Sequence, residues 1–144
     1  MEWPTMKIVA LDTNILIYYL EGIEPQASTV GKILNGFMKS ENEGLMSTIT
    51  VAEILTGFYL ANDINKATKV KKLLNDLTLN SLKIVPVTFE IADLAASLRA
   101  KKGGRLPDAL IAATALNKKA DMIYSQDKDL QRFKEEISIC QLPE

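Results

Sequence analysis

Short apolar runs recur along this chain at 7–12 (KIVALD), 45–49 (LMSTI), 83–87 (KIVPV), 122–125 (MIYS) and 137–140 (ISIC). The first is nearly continuous in apolar and β-branched residues, the pattern of a strand covered on both faces of a parallel sheet. Most of the runs are separated by stretches of helical length, far too long for hairpin turns. Successive strands must then be joined by crossovers and lie parallel, with helices on both faces. Pro86 sits near the end of the third run, which marks a strand end or a sheet edge because proline cannot donate to the ladder. In such an open α/β sheet a binding site lies beyond the C-terminal ends of the strands.

Helix signals fill the gaps. The stretch 14–22 stops at Gly22, and Pro25 opens a helix whose Val30, Ile33, Leu34 and Phe37 fall in helical spacing. Another helix is expected to open at Thr50. A further one over about 64–77 bears Lys66, Lys69, Lys71 and Lys72, read as a solvated basic face. The segment 89–103 closes in Arg99, Lys101 and Lys102 before Gly103, and Pro107 starts the next helix. Residues 15–20 are apolar almost all round, so this helix must be covered on more than one side, by the core and by a homodimer or protein partner.

At 144 residues with no visible linker, a single domain over 1–144 is expected. No apolar run nears the ~20 residues that span a bilayer, and the start lacks the order of a secretory signal, so no membrane association and a cytoplasmic location are expected. The lone Cys140 suits a reducing compartment. The chain has no histidine, which excludes Ser-His-Asp and Cys-His catalysis, His-ligated zinc and imidazole bases. Any catalysis must use carboxylates, hydroxyls, lysine or a metal. A net charge of −1 gives no global attraction to nucleic acid, so such binding needs a local patch.

Four carboxylates stand where such a site would form, and each has an ordinary explanation. Asp12 could cap the helix that follows it. Glu53 lies three residues after Thr50, the spacing of a capping box. Asp108 suits the positive end of a helix, and Asp127 suits an Asx-turn. Together they read differently. Asp12, Glu53 and Asp127 follow strand candidates, and Asp108 opens a helix with an apolar face of Ile111, Ala112 and Ala115. Four converging carboxylates would raise one another's pKa, and a divalent cation relieves that repulsion. An oxygen-only ligand set suits Mg²⁺ or Mn²⁺ rather than zinc. That equipment fits phosphoryl chemistry.

The blocks IVALDTNILIYYLEG, STITVAEILTG, RLPDALIAATAL and MIYSQDKDLQRF resemble the four motif blocks of the PIN domain, most closely of VapC-type toxins. The resemblance spans nearly the whole chain. It implies a three-layer α/β/α sandwich with a central parallel β-sheet, starting functionally at Met6 with residues 1–5 as an extension. It also implies a Mg²⁺- or Mn²⁺-dependent endoribonuclease of a type II toxin–antitoxin system, leaving a 5′-phosphate and a 3′-hydroxyl. Its partners would be a VapB-like antitoxin and a second copy of itself. Carried onto this chain, the catalytic set is Asp12, Glu53, Asp108 and Asp127, with Thr13, Asn14 and Ser125 as polar neighbours. Asp12 and Asp108 are expected to hold the cation, Asp127 to help directly or through water, and Glu53 to orient or deprotonate the attacking water. Asp129 is expected to begin the turn at LQRF, with at most an outer share in the site.

RNA would meet Arg99, Lys101, Lys102 and Arg105, which precede Asp108, although basic residues also belong at a solvated helix end. No interleaving of aromatic and basic residues reveals a base preference. Two other readings fit less of the chain. A haloacid-dehalogenase-type phosphatase needs a second Asp where Asn14 stands, a DNA nuclease would share the acids, and a non-catalytic RNA- or partner-binding module would lack one of them.

Overall fold

The computed structural model describes residues 6–143, so the extension expected at 1–5 lies outside the described residues. The elements run β1 (Ile8–Leu11), α1 (Thr13–Leu20), α2 (Gln26–Met38), β2 (Glu43–Ser47), α3 (Thr48–Leu60) and α4 (Ile64–Thr78). They continue with β3 (Leu82–Val85), α5 (Phe89–Lys102), α6 (Leu106–Asn117), β4 (Met122–Tyr124), a 3₁₀ helix (Lys128–Phe133) and β5 (Ile139–Cys140). The strands form one five-stranded sheet in the order β3-β2-β1-β4-β5. Every pairing is parallel, with Ala10 opposite both Leu45 and Ile123.

Side chains alternate across a strand, so each strand feeds two cores. Val9, Leu11 and Met46 pack with Ile15, Leu16, Phe37 and Phe58 beneath α1 to α4. Ala10, Leu45 and Ile123 pack with Ile91, Leu98, Leu130 and Phe133 beneath α5, α6 and the 3₁₀ helix. Each buried side chain of Leu or Phe size contributes about 1.5–3 kcal/mol. The result is the expected three-layer α/β/α sandwich.

Two local details explain how tightly the layers close. A Cβ at Gly44 would lie 2.7 Å from the Phe37 ring and 2.9 Å from Leu82 Cδ1, so only glycine lets β2 pass beneath that ring. Ala10 faces Ala109, Ala112 and Ala113, small residues that admit α6 close to the sheet. From Asp108 to Ala115 every residue of α6 is buried, since α5 packs on its outer side. The apolar face expected at Ile111, Ala112 and Ala115 is thus only part of a helix covered all round.

The helix expected at Thr50 starts earlier, at Thr48. Ser47 caps it by accepting the Ile49 amide at 3.1 Å, while Thr50 Oγ1 is buried without a partner. The capping box therefore does not form. Helix α1 is covered mostly by its own chain: Ile15 and Leu16 are fully buried against α2 and α3, and Tyr19 remains 39% exposed. Lys69, Lys71 and Lys72 are exposed and Lys66 pairs with Glu21 at 2.7 Å, in keeping with a solvated face. β3 ends just before Pro86 and lies at the sheet edge, as the proline indicated.

From β1 the chain builds outward to β2 and β3, then returns across β1 to add β4 and β5 on the other side. The connections leaving β1 and β4 diverge above their C-terminal ends. A crevice opens at such a switch point, which is where α/β sheets bind ligands.

Candidate metal centre

Asp12 ends β1 at this switch point and is only 4% exposed. It caps α1, its Oδ1 accepting the Thr13 amide at 2.7 Å. Its Oδ2 accepts the Ser125 hydroxyl at 2.7 Å. The cap expected of Asp12 is thus realised on one oxygen, and the other is held by Ser125. Ser125 is fully buried and in turn accepts the Asp127 amide at 3.0 Å. The Asp12 amide donates to the Tyr124 carbonyl at 3.1 Å, tying the ends of β1 and β4 together.

Glu53 lies in the second turn of α3, free of the cap role that its spacing from Thr50 suggested. Instead the Thr13 hydroxyl donates to its Oε1 at 2.8 Å, across the mouth of the crevice. Asp108 sits in the first turn of α6, beneath Pro107, and is 3% exposed. Arg105 Nε and Nη2 each approach its carboxylate at 3.5 Å, at the outer limit of a hydrogen bond. Arg105 itself is 66% exposed, and Asn14 is exposed beside Thr13.

Asp127 caps the 3₁₀ helix, its Oδ1 accepting the Asp129 amide at 2.9 Å. The cap of that turn is thus Asp127, and Asp129 lies within its first turn. One carboxylate oxygen from each of Asp108, Asp127 and Asp129 falls within 4.8 Å of the others. Ligand oxygens around one Mg²⁺ at about 2.1 Å are about 3–4 Å apart, so modest side-chain movement would gather these three. Asp129, expected only at the periphery, stands inside the cluster.

The charge is poorly balanced. Burial pushes the Asp12 carboxyl above its usual range, against the lowering effect of the Ser125 and Thr13 hydrogen bonds, and Asp108 and Asp127 add repulsion. Burial likewise raises Asp108, which Arg105 partly offsets and which Asp127 and Asp129 raise further. A cation of oxygen preference fits this donor set, because it would replace mutual repulsion by attraction.

The structure therefore brings Asp12, Glu53, Asp108, Asp127, Thr13, Ser125 and Arg105 into one cluster beyond the C-terminal ends of the central strands. Arg99, Lys101 and Lys102 lie at the end of α5 nearby, where Lys102 is held by Glu135 at 3.0 Å and Glu136 at 3.6 Å. Sequence reasoning undervalued Asp129; its signal was the Asp-x-Asp spacing, which a 3₁₀ turn folds back on itself. It also passed over Arg132, whose guanidinium reaches the Asp129 carbonyl at 2.9 Å.

The family model described as PIN domain matches residues 9–136. No curated protein gives a significant match. Solved structures share the fold over nearly their full length. A toxin-antitoxin complex from Klebsiella pneumoniae is 22% identical, with 92% of this chain and 95% of that chain covered and a TM-score of 0.69. VapBC2 from Rickettsia felis, bound to a promoter DNA fragment, is 19% identical over 94% and 99%, with a TM-score of 0.72. VapBC-1 from nontypeable Haemophilus influenzae is 24% identical over 93% and 97%, with a TM-score of 0.67. Since the matched span runs from β1 to just beyond the 3₁₀ helix and holds all four expected acids, the chain belongs to the PIN domain family.

Proposed function

We propose that this protein is a divalent-metal-dependent endoribonuclease, the VapC-type toxin of a type II toxin–antitoxin pair. The observation that supports it most is the convergence of Asp12, Glu53, Asp108 and Asp127 beyond the central strands, with the loosely engaged Arg105 against Asp108. Asp12, Asp108 and Asp127 would hold Mg²⁺ or Mn²⁺, with Asp129 as a further carboxylate. When bound, that cation supplies Lewis acidity toward a phosphate oxygen and toward water.

The protein's own groups do the rest. Thr13 fixes one oxygen of Glu53, leaving the other to accept a proton from the attacking water. Ser125 keeps Asp12 turned toward the crevice. Asn14 and Arg105, both exposed at the rim, are placed to meet the sugar-phosphate backbone of RNA. The likeness to toxin–antitoxin complexes supports a VapB-like antitoxin that covers the crevice, and the reading includes a homodimeric, cytoplasmic toxin. Incubating the purified protein with structured RNA, with and without Mg²⁺ or Mn²⁺, tests it. Cleavage only with metal is expected, and RNA binding without cleavage under any metal would overturn it.

A further inference from the structure

We propose that Arg132 is a positioning residue for the cation site, clasping the 3₁₀ helix to the α5–α6 turn and so holding Asp129 against Asp108. Its Nε donates to the Asp129 carbonyl at 2.9 Å and its Nη1 to the Lys102 carbonyl at 3.2 Å. Its Nη2 lies 3.8 Å from Asp129 Oδ1. One guanidinium thus joins two segments that each carry an acid of the cluster: Asp129 directly, and Asp108 six positions after Lys102.

The turn is shaped for this side chain. Gly103 and Gly104 both have positive φ, +77° and +92°. A Cβ on Gly104 would lie 2.8 Å from Arg132 Cδ and Nε, so the arginine lies flat on bare backbone. Arg99 Nε braces the same turn by donating to the Gly104 carbonyl at 2.9 Å.

An ordinary i,i+3 ion pair would put the closest contact on the carboxylate. Here the closest contacts are to two carbonyls, and the Asp129 carboxylate is left to approach Asp108 and Asp127. Two acceptors on separate segments require a planar fork, which lysine does not have.

The inference rests on reading the acidic cluster as a cation site. Its test is Mn²⁺ titration by calorimetry into metal-free wild type, R132A, R132K, D129A and R132A/D129A, with thermal melts in chelator. R132A should bind Mn²⁺ about tenfold more weakly, R132K nearly as weakly, and R132A/D129A no more weakly than D129A. The Mn²⁺ concentration for half-maximal RNA cleavage should shift by the same factor, while kcat at saturating Mn²⁺ stays within about threefold. Where R132A fails to fold, the cycle through R132K and R132K/D129A gives the same reading. Affinity of R132K and R132A within twofold of wild type, or losses that multiply in the double variant as a general structural role would give, overturns the clasp alone. A wild type that binds no Mn²⁺ overturns the cation site and the clasp together.

Discussion

Asp12 and Asp129 each neighbour Asp108, as a buried inner wall and an exposed outer wall of one acidic cluster, and are held by opposite means. Asp12 lies at the end of a central strand, with both oxygens hydrogen-bonded and its amide tied to the neighbouring strand. Asp129 is carried on a six-residue 3₁₀ helix and its side chain is 64% exposed. The inner wall is set by the sheet and would survive loss of any ligand. The outer wall owes its place to a turn, an arginine and whatever charge occupies the crevice.

The sharpest way to break this comparison is to neutralise one acid on each wall. Asp12→Asn keeps a good helix cap and the carboxamide can still meet Ser125, so the melting temperature should not fall. RNA cleavage should fall about a thousandfold, because transition-state charge stabilisation of several kcal/mol is lost. Asp129→Asn should cost about tenfold, within the range for groups that tune rather than create a metal site. Equal losses, measured as cleavage rates at fixed Mg²⁺, would show that the two walls are not distinct.

Ser125→Ala probes the inner wall and its link to the 3₁₀ turn. It removes the donor to Asp12 Oδ2, which is buried, and the acceptor for the Asp127 amide, which is partly buried. An unsatisfied buried polar group costs about 1–3 kcal/mol, so the melting temperature should drop by several degrees, read by thermal melts with and without Mg²⁺. An unchanged melt would mean that the hydrogen bonds do not fix Asp12.

The inner wall was also the legible part. Continuous apolar runs and helix-length gaps specify a parallel sheet, and an acid directly after such a run must fall at its C-terminal edge, as Asp12 does. Glu53 had an ordinary explanation in the sequence that the structure removes. The Thr50 to Glu53 spacing mimics a capping box, yet Ser47 begins the helix two residues sooner because β2 ends there. On the outer wall Asp127 was read as a site acid, but the place of Asp129 was not legible, since it depends on the long-range reach of Arg132 to Lys102 and on how a 3₁₀ turn points two aspartates. Neither leaves a periodic signal. The burial of α6 on all sides was hidden as well, because an alanine-rich helix does not announce how closely it is packed.

The unbalanced charge predicts an unusual pH dependence for the metal-free protein. Asp12 and Asp108 have folded-state pKa values raised above the usual carboxylate value of 3.8. Between 3.8 and those raised values the folded state holds more protons than the unfolded state, so stability is fully present below 3.8 and falls as pH rises through the window. Melting temperatures in chelator should decline accordingly, and Mg²⁺ or Mn²⁺ should restore them above the window. In Asp12→Asn the decline should shrink. A metal-free protein that becomes steadily more stable over this range would contradict the electrostatics of the inner wall.

The smallest effect belongs to Arg105, whose guanidinium approaches Asp108. Its contacts with Asp108 are 3.5 Å long and it is largely exposed, so the ion pair does little for stability and Arg105→Ala should leave the melt unchanged. In the proposed complex with RNA the same side chain meets a phosphate. Its loss should then weaken RNA binding evenly across sequences and flatten the salt dependence by about 0.7 in log Kd against log salt. The measurement is binding of Asp12→Asn and Asp12→Asn/Arg105→Ala to single-stranded RNA over a salt series, which separates binding from cleavage. An unchanged slope would leave Arg105 as a counter-charge for Asp108 with no part in holding RNA.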